Sequence, residues 1–287
     1  MYGILASVLN GLLVGAIYGL AGVGLTLIFG VMKVINLAHG AMIALGMFGL
    51  YFLAGYLGWN AYASVPVVMA GGFLLGVGVY WIAVHRVIGR AELMSLLATF
   101  AVSMMVIGLG TAAWSTTPFN VHVSVPGVSF HGYTIPGNHI LAAALAILVA
   151  AALYGFLYYT RLGKGIRAVA NNREAAELMG IPSSRVLAIA FGLGIAIAAV
   201  AGALIATLFP FTILSGAGYE LKSFVVTVLG GLGNPAGALL GGLLLGLIEG
   251  SVTPFISVSW TPVVEFTLFV LILIFFPQGL FRVGKGR

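Results

Sequence analysis

Hydrophobic positions run in long unbroken blocks along this chain, and the polar positions between them come in short islands. The first block runs from about Ile4 to Val31. Lys33 interrupts it, and the next apolar run leads on to about Leu57. Further blocks cover about 61–84, 93–113, 139–159, 186–209, 238–252 and 263–276, and a shorter one lies between Tyr219 and Gly230. Blocks of about 20 apolar residues match the length a helix needs to cross a bilayer. The stretch from Tyr219 to Gly230 makes only about 18 Å of helix, too little for a full crossing. It is bounded by Ser215–Gly218 and by the Gly-rich run Gly230–Gly237. The pattern predicts an all-α polytopic membrane protein with eight to ten passes, one of them a broken or half helix, in a single transmembrane domain over 1–287.

Small residues within the blocks predict how they pack. Gly11, Gly15 and Gly19 share one helix face. Gly233, Gly237 and Gly241 form one series, and Gly242, Gly246 and Gly250 a second. Stripes of this kind let two membrane helices approach closely.

Composition agrees with the pattern. The sequence is 61% hydrophobic and 6% charged, with a mean hydropathy of +1.18, whereas soluble domains carry about 25% charged residues. The net charge of +6 does not signal nucleic acid, because the basic residues gather in short loops between apolar blocks. Ten of the twelve Lys and Arg lie in 85–92, 161–185 and the tail with Arg282, Lys285 and Arg287; the others are Lys33 and Lys222. With all three groups in the cytoplasm the N-terminus lies outside and nine passes result. The N-terminal run has no basic stretch before it and reads as the first span, not a cleaved signal.

The chemistry available is narrow. Cysteine is absent and all six acidic residues are Glu, so thiolate chemistry and most Asp-based schemes are excluded. No phosphate-binding loop, HExxH or suitably placed GxSxG occurs. His122 and His131, nine apart in the uncharged outside loop Trp114–Asn138, lack a third ligand. Alternation over 121–130 predicts a small hairpin in that loop. Glu249 and Glu265 are expected near the outer interface. Two polar sites stand at the edges of apolar blocks. Asn36 and His39, closed by Gly40, mark either a helix that begins inside the membrane or a tight turn capped by Asn36. Glu220 and Lys222, at one end of the short block, mark either a gating element or an interfacial pair. Thr99 and Ser103, four apart, either bond their own backbone or line a path. Asn234 lies in the Gly-rich break.

One island stands apart. Residues 161–185 hold five Lys and Arg (Arg161, Lys164, Arg167, Arg173, Arg185) together with Glu174 and Glu177. A short amphipathic segment is expected over Arg161–Ala170 and a second helix over Glu174–Met179, with Arg173 and Glu177 one turn apart and Gly180 as its stop. Such a loop is either a solvated connector or a docking element for another protein.

Three collinear segments resemble the LivH-type permease subunits of ATP-binding-cassette importers for branched-chain amino acids: GLTLIFGVMKVINLAHGAMIALG (24–46), TRLGKGIRAVANNREAAELMGI (160–181) and LKSFVVTVLGGLGNPAGALLGGLLLGLIEG (221–250). The resemblance implies a bacterial inner-membrane permease that is not itself an enzyme and binds no cofactor. It further implies a second permease subunit, two ATPase subunits that bind ATP and Mg, and a periplasmic solute-binding protein. It places a coupling helix in the 160–185 loop, at Asn171, Asn172, Arg173, Glu174, Ala175, Ala176, Glu177, Leu178, Met179 and Gly180. Asn36, His39, Thr99, Ser103, Glu220, Lys222 and Asn234 are the candidate substrate-path residues. The sequence departs from the family at Ala41, where a Glu often follows the H-G pair. The competing expectation is an ATP-independent channel or secondary carrier for a small neutral solute such as urea or an amide.

Overall fold

The structure is a computed structural model and describes residues 2–130, 133–255, 257, 260–276 and 279–281. His131 and the basic residues Arg282, Lys285 and Arg287 lie outside the described residues.

The first helix, α1 (Tyr2–Met32), carries no charged residue and meets protein on nearly every side. It and α8 (Ser183–Ala206) are the centre of the fold: 83% and 89% of their membrane-length windows are buried. Around them stand α2 (His39–Tyr51), α3 (Val65–Val79), α4 (Glu92–Trp114), α5 (Gly137–Tyr159), α9 (Ser215–Gly230), α10 (Pro235–Val252) and α11 (Thr261–Phe275). Single π-helical turns, Phe52–Tyr56 and Tyr80–Val84, extend α2 and α3. Only 22% of the α4 window is buried, so α4 presents mostly apolar side chains outward, to lipid or to another membrane subunit.

Among the described residues, seven helices are long and apolar enough to cross a membrane. The remaining two apolar helices are α9, with 16 residues, and α11, with 15. Their lengths are about 24 and 22 Å, short of a hydrocarbon core of about 30 Å. The predicted half helix is α9, although it starts at Ser215, so the expected loop at 215–218 is its first turn.

Both small-residue stripes are used, and by different neighbours. A Cβ on Gly15 would stand 3.0 Å from the Cα of Gly246, and one on Gly11 would stand 2.8 Å from the Cα of Gly250, so α1 and α10 touch backbone to backbone. Gly241 instead faces Val226 and Leu229 of α9. Side chains reinforce the contact of α1 with α9: Thr26 Oγ1 donates to Thr227 Oγ1 (3.1 Å), which donates to the Gly22 carbonyl (3.2 Å).

The uncharged loop after α4 contains the expected hairpin only in its last part. β1 (Val128–Phe130) pairs antiparallel with β2 (Tyr133–Ile135). Residues 121–127 are not paired as a strand. One tie holds them: Asn138 Nδ2 donates to the Val123 carbonyl at 2.7 Å. Phe119 and Phe211 exchange backbone hydrogen bonds (2.8 and 2.9 Å) and join this loop to the turn after α8.

Candidate functional site

Between Met32 and His39 the chain is not helical. Residues 33–38 run back along α1, with Val34, Asn36 and Ala38 buried. His39 ends up beside the middle of α1, where its Nε2 lies 3.0 Å from the Ala21 carbonyl. A carbonyl only accepts, so Nε2 carries the proton and Nδ1 of the neutral ring is an acceptor. Helix α2 therefore begins within the bundle. Asn36 is not its cap: its Oδ1 accepts from the Ala38 N–H (3.1 Å), forming a turn upstream of the helix. Asn36 Nδ2 and His39 Nδ1 are fully buried and have no hydrogen-bond partner among the described residues.

Two other candidates converge on this break. Thr99 of α4 accepts from the Leu37 N–H (3.2 Å), and its hydroxyl lies within 3.1 Å of the carbonyls of Ser95 and Leu96 on its own helix. Thr99 thus both bonds its own backbone and holds the unwound segment. Ser103 is buried one turn further along α4. From α9, the carboxylate of Glu220 reaches the first turn of α2: a Cβ on Gly40 would meet Glu220 Oε2 at 2.7 Å. A carboxylate thus stands beside the H-G pair after all, supplied by α9 where residue 41 is Ala. It faces the open N–H groups and positive dipole end of α2.

Lys222 does not join them. It projects from the other side of α9, and the interfacial pair of Glu220 with Lys222 is not formed. Instead Lys222 Nζ donates to Glu249 of α10 (3.0 and 3.1 Å) and to Glu265 of α11 (2.6 Å). It also lies 3.4 Å from the Tyr18 hydroxyl and 4.5 Å from the centre of that ring. Glu249 and Glu265, which the sequence did not connect to Lys222, share one ammonium, and Glu265 is buried. Their separations from Lys222 of 27 and 43 residues leave no local signal.

Asn234 also lies apart from the path candidates. Its Nδ2 donates to the Phe281 carbonyl at 2.8 Å, and Leu280 N–H donates to Leu229 (2.9 Å), so the Gly-rich turn is clamped by residues 279–281.

The charged island forms two helices. In α6 (Arg161–Asn171), capped by Thr160, the residues Gly163, Ile166 and Val169 are turned inward at three-residue spacing. Arg167 folds back to donate to the Leu157 carbonyl (3.0 Å) and stacks over Tyr158. Helix α7 (Arg173–Leu178) starts at Asn172, whose Oδ1 accepts from the Ala175 N–H (3.0 Å), and only Ala176 is buried in it. Arg173 pairs with Glu177 (3.0 Å), and Glu177 also accepts from the Ser183 hydroxyl. Gly180 stops the helix with φ of +79°. Leu178 and Met179 at its end are 89% and 82% exposed.

A family described as the branched-chain amino acid transport system permease component matches residues 7–275. The chain belongs to this family. The permease is 30% identical to the high-affinity branched-chain amino acid transport system permease protein BraD of Pseudomonas aeruginosa, over 98% of this chain and 96% of that protein. It is 30% identical to LivH of Salmonella typhimurium, covering 96% and 94%. It is also similar to the ribose import permease RbsC of Escherichia coli, at 26% over 82% of this chain and 74% of the relative. The permease is thus a multi-pass membrane transport component and not an enzyme.

Proposed function

We propose that the permease forms part of the substrate pathway of an ATP-driven importer in the bacterial inner membrane, with branched-chain or similar small neutral amino acids as substrates. The N-terminus lies in the periplasm and the C-terminus in the cytoplasm. A sister permease, two ATPase subunits that hold ATP and Mg, and a periplasmic binding protein complete it. The chain acts as one transmembrane domain, with residues 160–185 as its coupling loop.

The observation that carries this reading is the end of α7. A six-residue helix, fixed at both ends by Asn172 and Gly180, holds Leu178 and Met179 out on the water side of the charged island. Two large apolar side chains kept exposed on a rigid, capped helix suit insertion into a partner's groove. The Glu177 link to Ser183, at the start of α8, gives motion of α7 a direct route into the central helix. Within the pathway, the unwound segment with Asn36 and His39, the Glu220 carboxylate and Thr99 are the groups that meet substrate or gate it. Ser103 extends that path along α4, and Asn234 supports the turn that ends α9.

The test is to change Leu178 and Met179 together to Glu and to reverse Glu174 to Lys in a second variant. Insertion and assembly with the sister permease should be unchanged, and ATP-driven uptake should fall at least about tenfold. Normal uptake in both variants would remove the coupling role from α7. Uptake by the wild type that continues without ATP would replace the importer with a channel or secondary carrier.

A further inference from the structure

The Lys222 cluster is not used by the pathway described above, and it borders a cavity. A space of about 270 Å³ lies between α1, the turn after α8, α9 and α10, lined by Tyr18, Phe209, Gly218, Tyr219, Lys222 and Glu249. Its wall therefore carries one cation, one anion and three aromatic rings. That size falls just short of the about 300 Å³ at which drug-sized ligand pockets begin, which suits a ligand of a few heavy atoms.

The two carboxylates on Lys222 are not equivalent. Glu265 approaches to 2.6 Å with a side chain 6% exposed and is not part of the cavity wall. Glu249 is held through its two oxygens at 3.1 and 3.0 Å, is 23% exposed and lines the cavity. The contact of Lys222 with Glu249 is the one that can open, because Glu265 continues to neutralise the ammonium when it does.

We propose that this cavity receives the zwitterionic backbone of an α-amino acid. Lys222 takes its carboxylate, Glu249 takes its ammonium, and the rings of Tyr18, Tyr219 and Phe209 face its side chain. The inference rests on the reading of the chain as an amino-acid permease and names where that class is recognised. A zwitterion carries its two charges on one carbon, so it enters as a dipole between Lys222 and Glu249 and replaces one ionic contact with two. No net charge enters the site, in keeping with transport that is not coupled to an ion. Urea and simple amides bring neither charge and would have to break the pair without replacing it. A polar site left unpaired by an analogue rejects that analogue strongly.

Saturation binding to the purified transporter, without its binding protein, tests this with three labelled ligands. They are leucine, leucinamide, which lacks the carboxylate, and 4-methylpentanoate, which lacks the ammonium. Leucine should bind at least about tenfold tighter than either analogue. Glu249→Gln should weaken leucine at least about tenfold yet leave 4-methylpentanoate binding no weaker, and strengthen it where Glu249 competes for Lys222, because that ligand has no ammonium for Glu249 to hold. A purely structural role for Glu249 would weaken both alike and overturn the inference. So would equal binding of all three ligands by the wild type, or no saturable leucine binding. If Glu249→Gln fails to assemble, the wild-type comparison decides alone. Leucine uptake by the complete transporter is scored separately: uptake together with charge-blind binding overturns this site and leaves the permease reading standing, whereas absent amino-acid uptake overturns that reading.

Discussion

Glu177 accepts hydrogen bonds from Ser183 and from Arg173, and the Ser183 hydroxyl, then the guanidinium, hold its carboxyl below the ordinary value of 4.5. A carboxyl whose pKa is lower folded than unfolded adds stability that is complete above the unfolded value and is lost as pH falls through the folded one. The junction of α7 with α8 should therefore loosen below about pH 4.5, seen as lower amide protection factors at Ile181 and Arg185, and Glu177→Gln should abolish that acid step. Thr99 gives a second residue-scale test. Its hydroxyl oxygen accepts from the half-buried Leu37 N–H. Thr99→Val leaves that donor unpaired and should cost about 1–3 kcal/mol in detergent melts, whereas Thr99→Ser retains most of the stability.

At the scale of elements, two sets of glycines contrast. Gly11 and Gly15 of α1 and Gly242 and Gly246 of α10 meet backbone, whereas Gly78 of α3, Gly108 of α4 and Gly155 of α5 have no atom of the described residues within 4 Å of an added Cβ. Gly15→Leu or Gly246→Leu should therefore separate α1 from α10 and cost upward of about 2 kcal/mol. Gly78→Ala, Gly108→Ala and Gly155→Ala should be neutral or slightly stabilising, by up to about 1 kcal/mol. Thermal melts of the purified protein distinguish the two sets. The stripes were legible in the sequence because a four-residue period is local information. Their partners were not, since Gly15 and Gly246 are joined only by packing. The same limit explains the start of α9: Ser-Gly-Ala-Gly has poor helix propensity, and tertiary contact of Gly216 with Gly40 overrides it. The stop of α7 at Gly180 was legible because that residue acts on its own neighbours, although the helix runs Arg173–Leu178 where Glu174–Met179 was expected.

For the whole molecule, Lys222 is the one side chain that reaches Tyr18 of α1, Glu249 of α10 and Glu265 of α11 from α9. Lys222→Met would leave two carboxylates facing each other without their cation, at a cost of about 3–5 kcal/mol. Exchange should rise first in α11, which Lys222 ties to α9 through Glu265. Hydropathy revealed the long crossings and the half helix, yet it could not reveal this junction, because three charges on three separate elements look like three isolated surface residues until the chain is folded. The distance along the chain has a further consequence for how the protein is made. Gly15 meets its partner at Gly246, and at about 5–20 residues per second the ribosome needs on the order of 12–45 s to supply it. During that interval α1 sits in lipid with its narrow glycine face uncovered. A chaperone or insertase that shields this face, or a copy of the chain truncated before α10, should therefore compete for α1 while synthesis is still under way.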